Sequence, residues 1–132
     1  MSLSNIEHVL KTHQLRNTKP RRELANLLAI KHPCHCTAEQ LHAWSKDAGL
    51  NFNLQTVYNT LNQFVQIGLI RKLNIDSAVA FYDTNLEEHH HLYNPEAQKL
   101  VDIPLEMISA NVNWKQLGMN IDMTQTDIVI RC

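Results

Sequence analysis

The chain has 132 residues, 44% hydrophobic and 19% charged, with a net charge of −1. That is enough for one domain or two small ones with a real core, and it excludes a disordered or low-complexity protein. Apolar runs stay well short of the ~18 residues a membrane span requires, and no basic, then apolar leader opens the chain, so a cytoplasmic location without membrane attachment is expected. Three cysteines, two of them at Cys34 and Cys36, make a poor disulfide framework and suit reduced thiols.

The net charge hides an asymmetry. Residues 1–85 carry nine Lys/Arg and six Asp/Glu, and residues 86–132 carry three and seven, so +3 is joined to −4. A mildly basic first part and an acidic second part imply that only the first meets a polyanion.

Ser4-Asn5-Ile6-Glu7 reads as a capping box that opens a short helix with Ile6, Val9 and Leu10 inward. Thr18 is placed to cap a second helix, with Pro20 tolerated in its first turn. That helix continues inward-facing through Leu24, Leu27, Leu28 and Ile30. Its start carries Arg16, Lys19, Arg21 and Arg22. Four cations beside free backbone N–H groups make a phosphate contact, or else a solvated basic turn.

Residues 31–36 read as a loop. Thr37-Ala38-Glu39-Gln40 is a second capping box, and its helix turns Leu41 and Trp44 inward and ends near Gly49. Residues 54–67 follow as another helix, with Asn53 as N-cap, Gly68 as C-cap and an apolar stripe of Leu54, Val57, Leu61, Phe64 and Val65. Its other face, Gln55, Thr56, Tyr58, Asn59, Asn62 and Gln63, is polar without a single charge. An ordinary solvated helix carries Lys and Glu there; amides, a hydroxyl and a phenol suit base edges in a groove. Two helices joined by a short turn, the second bearing such a face, make a helix-turn-helix.

After Gly68 the apolar period changes to two. Ile70, Leu73 and Ile75, the turn pair Asp76-Ser77, then Val79, Phe81 and Tyr82 predict a hairpin. It would be the wing of a winged helix, with Arg71 and Lys72 in reach of a phosphate. The remaining residues predict strands near His91 and over 100–103, a helical turn after Pro104, a short helix over 114–117 ended by Gly118, and a last strand within 121–131. So few apolar side chains make this part marginal alone, and pairing with a second copy would bury the deficit. The class is therefore α+β: a winged helix over residues 1–83 and a small α/β dimerisation and sensing domain over 84–132.

Glu87-Glu88-His89-His90-His91 marks the junction of the two parts. In a strand His89 and His91 share a face, and two imidazoles at that spacing can share one ion. With Asp83, Asp102 and His35 they offer three imidazoles and two carboxylates. This mixed N/O set suits Fe(II), Mn(II) or Zn(II). Histidine is also a haem axial ligand. Cys34-His35-Cys36 with His32 could form a separate zinc site, but the spacing is tight and no second pair follows, so free thiols are the better reading. A Cys–His nucleophile lacks an acid partner or an oxyanion hole, so the chain is read as no enzyme.

Five motifs together resemble the ferric uptake regulator family of bacterial metalloregulators across nearly the whole chain. They are Leu15-Arg16-Asn17-Thr18 with Arg21, Thr37-Ala38-Glu39-Gln40-Leu41, Thr56-Val57-Tyr58-Asn59-Thr60-Leu61, Gly68-Leu69-Ile70, and His89-His90-His91-Leu92. The resemblance implies a dimeric repressor that binds a double-stranded DNA operator. DNA contacts are expected from Arg16, Thr18, Lys19, Arg21, Gln55, Thr56, Tyr58 and Asn59. The regulatory metal, iron or manganese with zinc as a further candidate, falls on His35, Asp83, His89, His91 and Asp102. Glu88 and His90 are candidates for a second metal or haem site, where Thr126 stands about where the family's C-terminal histidine would fall.

Many members carry Cys-x-x-Cys after the histidine run. Here that segment reads Tyr93-Asn94-Pro95-Glu96, so a structural four-cysteine zinc is not expected. Phe81-Tyr82-Asp83-Thr84-Asn85, the histidines and Val101-Asp102-Ile103-Pro104 look most like the iron response regulator branch, which senses iron status through haem. The order Pro33-Cys34 departs from the Cys-Pro haem motif of some members. A peroxide-sensing repressor with Fe(II) or Mn(II) on three His and two Asp is the alternative, and a metal- or haem-buffering protein a further one.

Overall fold

The computed structural model describes residues 2–75, 79–119 and 127–132. They form two compact units, Met1–Leu86 and Glu87–Cys132. Among the described residues no helix is long and apolar enough to cross a membrane.

The first unit contains α1 (Ile6–Thr12), α2 (Lys19–Lys31), β1 (His35–Cys36), α3 (Ala38–Asp47), α4 (Leu54–Gln66), β2 (Arg71–Asn74) and β3 (Ala80–Asp83). Its opening differs from the sequence expectation. Ser2 caps a single 3₁₀ turn at Leu3–Asn5, and Asn5, at the N-cap of α1, makes no side-chain cap, so the Ser4–Glu7 box does not form. The 3₁₀ turn has already taken Ser4 into a helical conformation, where its hydroxyl cannot serve as an N-cap.

Thr18 caps α2 by accepting the Arg21 N–H. The helix buries Leu24, Ala25 and Leu28 and leaves Leu27 half-buried. Ile30 is 80% exposed, contrary to expectation. At about 100° per residue it lies about 200° round the helix from Leu28, off the buried stripe. At the end of α2, Lys31 places its ammonium 4.3 Å from the centre of the Trp44 ring, covering the exposed face of a half-buried indole.

The second capping box forms in full: Thr37 Oγ1 accepts the Gln40 N–H at 3.1 Å, and Gln40 Oε1 accepts the Thr37 N–H at 2.9 Å. Asn53 caps α4 at 2.8 Å through the Thr56 N–H. The apolar stripe packs as its spacing dictates, with Val57, Leu61 and Phe64 fully buried and Leu54 and Val65 partly so. Thr60 joins them by donating its hydroxyl to the Thr56 carbonyl. The helix stops in a Schellman turn. Leu69 N–H reaches the Phe64 carbonyl at 2.9 Å and Gly68 N–H the Val65 carbonyl at 3.0 Å. Gly68 takes the required positive φ of 77°.

The wing is a three-stranded antiparallel sheet in the order β1-β3-β2. The hairpin partners expected from period-two spacing pair in register, Leu73 with Phe81 and Asn74 with Ala80. The expected Asp76-Ser77 turn lies outside the described residues. His35 and Cys36, expected in a loop, instead form the third strand, against Asp83 and Tyr82. Two residues are too short a run to show a strand period. The pairing is fixed from outside by Thr84, whose buried hydroxyl accepts the Cys34 N–H at 2.9 Å and donates to the Cys34 carbonyl at 3.1 Å. His32 Nδ1 sits 2.8 Å from the Thr84 hydroxyl oxygen.

The second unit is a three-stranded sheet in the order β5-β4-β6, built from β4 (His90–Asn94), β5 (Lys99–Ile103) and β6 (Val129–Arg131). β4 runs antiparallel to β5 and parallel to β6. Asn94 Oδ1 closes the β4–β5 turn by accepting the Glu96 and Ala97 N–H groups. Pro104 leads into a 3₁₀ turn at Leu105–Met107. The segment 114–118 is a turn, where a short helix was expected. Asn113 Oδ1 accepts the Gln116 N–H, and Gly118 at φ 70° reverses the chain after barely one turn, too few residues to propagate a helix. Of the last expected strand only 129–131 is observed; 121–126, and with them Thr126, lie outside the described residues.

Candidate metal centre and nucleic-acid face

Each unit presents its own group of metal-ligand side chains. In the first, β1 and β3 place His35 directly opposite Asp83, and the two offer donor atoms within 4.8 Å of each other. Asp83 is fully buried, and one of its oxygens accepts the Asn85 N–H at 2.9 Å. The Thr84 hydroxyl network ties the 32–34 segment down beside this pair. Thr84 carries no signal in the sequence beyond its place next to Asp83.

In the second unit, His91 on β4 pairs with Asp102 on β5. His89, just before β4, turns to the same side. His89 Nε2 lies 3.2 Å and His91 Nε2 3.5 Å from the same oxygen, Asp102 Oδ1. The two rings meet edge to face with centroids 4.5 Å apart. His89 Nδ1 donates to the Glu87 carbonyl. A carbonyl can only accept, so Nδ1 carries a proton and Nε2 is the ring nitrogen turned toward Asp102. A backbone acceptor behind a ligating imidazole is the usual device that fixes its tautomer. Donor atoms 3.2–3.5 Å apart match the separation of two ligands held near-tetrahedrally about one ion at about 2.1 Å. The residues present therefore fit a divalent metal. The donor set is imidazole and carboxylate, which suits iron, manganese or zinc.

The two candidates for a second site do not join this group. His90 points to the other face of β4, and its Nδ1 accepts the Ile128 N–H at 2.9 Å, stitching the chain to the approach of β6. Glu88 is exposed. Cys36 is fully buried, and burial, with Cys34 and Asp83 nearby, pushes its thiol up to about 12. Burial also raises the Cys34 thiol. Both cysteines are thus poor sources of thiolate.

The nucleic-acid face is spread over α2 and α4. Arg16 and Lys19 are exposed at the start of α2. Thr18 spends its hydroxyl oxygen on the cap. Arg21 is engaged within the unit: Nε donates to Gln63 Oε1 at 2.9 Å and Nη1 to the Arg16 carbonyl at 2.6 Å. It therefore fastens the start of α2 to α4. On α4, Gln55 Nε2 donates to Asn59 Oδ1 at 2.9 Å, a side-chain pair one turn apart on the exposed face. Thr56 is half-buried. Tyr58 donates its hydroxyl to Glu39 at 2.6 Å, a partner that the sequence reading missed.

A winged helix followed by a small sheet with clustered His and Asp side chains defines a metal-responsive regulator. Residues 12–130 match the ferric uptake regulator family, and the chain belongs to it. It is 30% identical to the ferric uptake regulation protein of Shigella flexneri over 102 residues, covering 76% of this chain and 69% of that one. Its fold is similar to that of the ferric uptake regulator of Vibrio cholerae, with a TM-score of 0.76, 22% identity and 96% and 97% of the two chains covered. It is also similar to the regulator of Pseudomonas aeruginosa solved with manganese, with a TM-score of 0.72, 21% identity and 97% and 96% covered. Members of the family are metal-responsive transcriptional regulators that bind DNA as dimers; they are not enzymes.

Proposed function

We propose that this protein is a homodimeric, cytoplasmic repressor of iron-homeostasis genes whose hold on a DNA operator is set by a divalent metal. One observation carries the reading most strongly: two imidazoles, one with its tautomer fixed, converge on the carboxylate of Asp102. His89, His91 and Asp102 would supply three ligands, and His35 and Asp83 are the other two proposed. A ligand of this kind shifts the protein between two arrangements only by its differential affinity for them. The bound ion would supply charge and a fixed coordination geometry. The chain's own residues do the rest: Arg16 and Lys19 meet phosphates, and Gln55, Thr56, Tyr58 and Asn59 face base edges.

A second copy of the chain is the partner proposed for the second unit. Val101, Met107, Leu117 and Met119 are each more than half exposed. A monomer rarely leaves so many large apolar side chains open on one small unit.

The test is a titration of purified apoprotein with Mn(II), anaerobic Fe(II) and haemin, read by DNA affinity and absorbance together. A change of DNA affinity with Mn(II) or Fe(II) supports the metal reading. Loss of that response after peroxide, with oxidation of a ligand histidine, assigns the peroxide-sensing branch, which the all-N/O donor set also supports. A Soret band that depends on His89–His91 and accompanies loss of DNA binding assigns the haem-sensing branch. Tight metal binding with no effect on DNA leaves a buffering protein.

A further inference from the structure

The bond between Tyr58 and Glu39 lies at the surface, while Tyr58 itself packs against the core. Glu39 is exposed in the first turn of α3, and Tyr58 is half-buried near the start of α4. The O–H···O distance of 2.6 Å is that of a charge-assisted bond to a carboxylate. The bond to Tyr58 holds the Glu39 carboxyl below its ordinary range, and the bond to Glu39 raises the Tyr58 hydroxyl to about 12. At neutral pH the pair is therefore a phenol donating to a carboxylate.

Two consequences follow from chemistry alone. First, the phenol has spent its only proton. What Tyr58 can still offer a base is its oxygen lone pairs, which accept from adenine N6 or cytosine N4, and its ring, which packs on a thymine methyl. Second, a negative charge stands beside a helix face that otherwise carries none. It repels phosphates, so it weakens a backbone-only encounter unless base contacts offset it.

We propose that Glu39 is the specificity-determining partner of Tyr58: it fixes the phenol as an acceptor and penalises DNA that offers no base contact in return. This rests on the DNA-binding reading above, in which Tyr58 faces the bases. Glu39 is a positioning residue; it acts through Tyr58 and through its charge.

The experiment selects a preferred duplex from a random-sequence pool with the full-length Mn(II)-supplied protein. It then measures affinity for that duplex and for a scrambled one at fixed salt. The variants are Glu39→Ala, Glu39→Gln, Tyr58→Phe and the double variant Glu39→Ala/Tyr58→Phe. Glu39→Ala is expected to cut the ratio of scrambled to preferred dissociation constants about tenfold, within the range of one lost base-pair discrimination. Tyr58→Phe should do the same, and the double variant should fall no more than about twofold below either single one, since the two act as a unit. Glu39→Gln keeps an acceptor but no charge, so it should tighten binding to the scrambled duplex while retaining most affinity for the preferred one. A ratio within twofold of wild type in Glu39→Ala, even with a lowered melting temperature, overturns the proposal, because it reduces the bond to a clamp between helices. Independent multiplication of the two single effects overturns it as well. A pool that yields no preferred duplex removes the DNA-binding reading and this proposal together; a preferred duplex with an unchanged ratio removes only the proposal.

Discussion

The two units solve the burial problem differently. The first closes a core of its own. Leu10, Leu24, Leu28, Leu41, Leu61 and Phe64 are fully buried together, and every helix after α1 begins with a side-chain cap. The second buries Tyr93 and Leu100 but leaves Val101, Met107, Leu117, Met119 and Ile130 open. Its sheet is short, and its order among the described residues rests on backbone pairing, the His90–Ile128 bond and local turns. The first unit thus buries its apolar side chains within itself, while the second leaves several of its own exposed. That is a suitable division of labour in a regulator, where the responsive part belongs at the low-stability end.

Separating the two units should have the largest effect. Residues 1–86 alone should melt cooperatively and keep their helical circular dichroism. Residues 87–132 alone should show neither, since so small a unit with an open apolar face lacks a sufficient core. A cooperative transition in the second fragment as a monomer would end the comparison.

The next effect in size is Leu61→Ala, which opens a cavity under α4 and should cost about 2–5 kcal/mol in urea unfolding, independent of protein concentration. Leu117→Glu should behave in the opposite way. Its effect should appear as a weaker dimer by at least about tenfold in sedimentation, the cost of placing a charge in an apolar interface, with little change in the melting of the first unit. Smallest is Thr37→Ala, which removes one half of a formed capping box and should cost about 1 kcal/mol. If Thr37→Ala lowered dimer affinity as Leu117→Glu does, the two units would not be energetically separable.

The same contrast explains what could be read in advance. The helices of the first unit carry their own signals: caps at Thr18, Thr37 and Asn53, a stop at Gly68, and a 3.6-residue stripe. The β2–β3 hairpin shows its period, and His89 and His91 declare a shared face by alternation, while Asp102 joins them only through the β4–β5 register. What escaped is set by distant partners or by very short runs. β1 is two residues long and owes its place to Thr84, which bonds Cys34 across fifty residues. The Arg21 cation is visible in the sequence, whereas its partner Gln63, forty-two residues away, is not. Glu39 is nineteen residues from Tyr58 and looked like half of an N-terminal turn. Ile30 was placed inward by its apolar character against the helical period, and the period decided.

In the function proposed above, a metal held by the histidine–aspartate group governs DNA binding. Its most direct test is DNA affinity of the full-length protein with and without Mn(II), for wild type and for His91→Ala, on a duplex selected from a random pool. The account predicts that Mn(II) changes wild-type affinity by about 5- to 150-fold, the usual size of a coupling between sites, and that His91→Ala loses this response while keeping its metal-free affinity. Equal affinity with and without Mn(II) in the wild type, or a His91→Ala variant that responds as the wild type does, would contradict it.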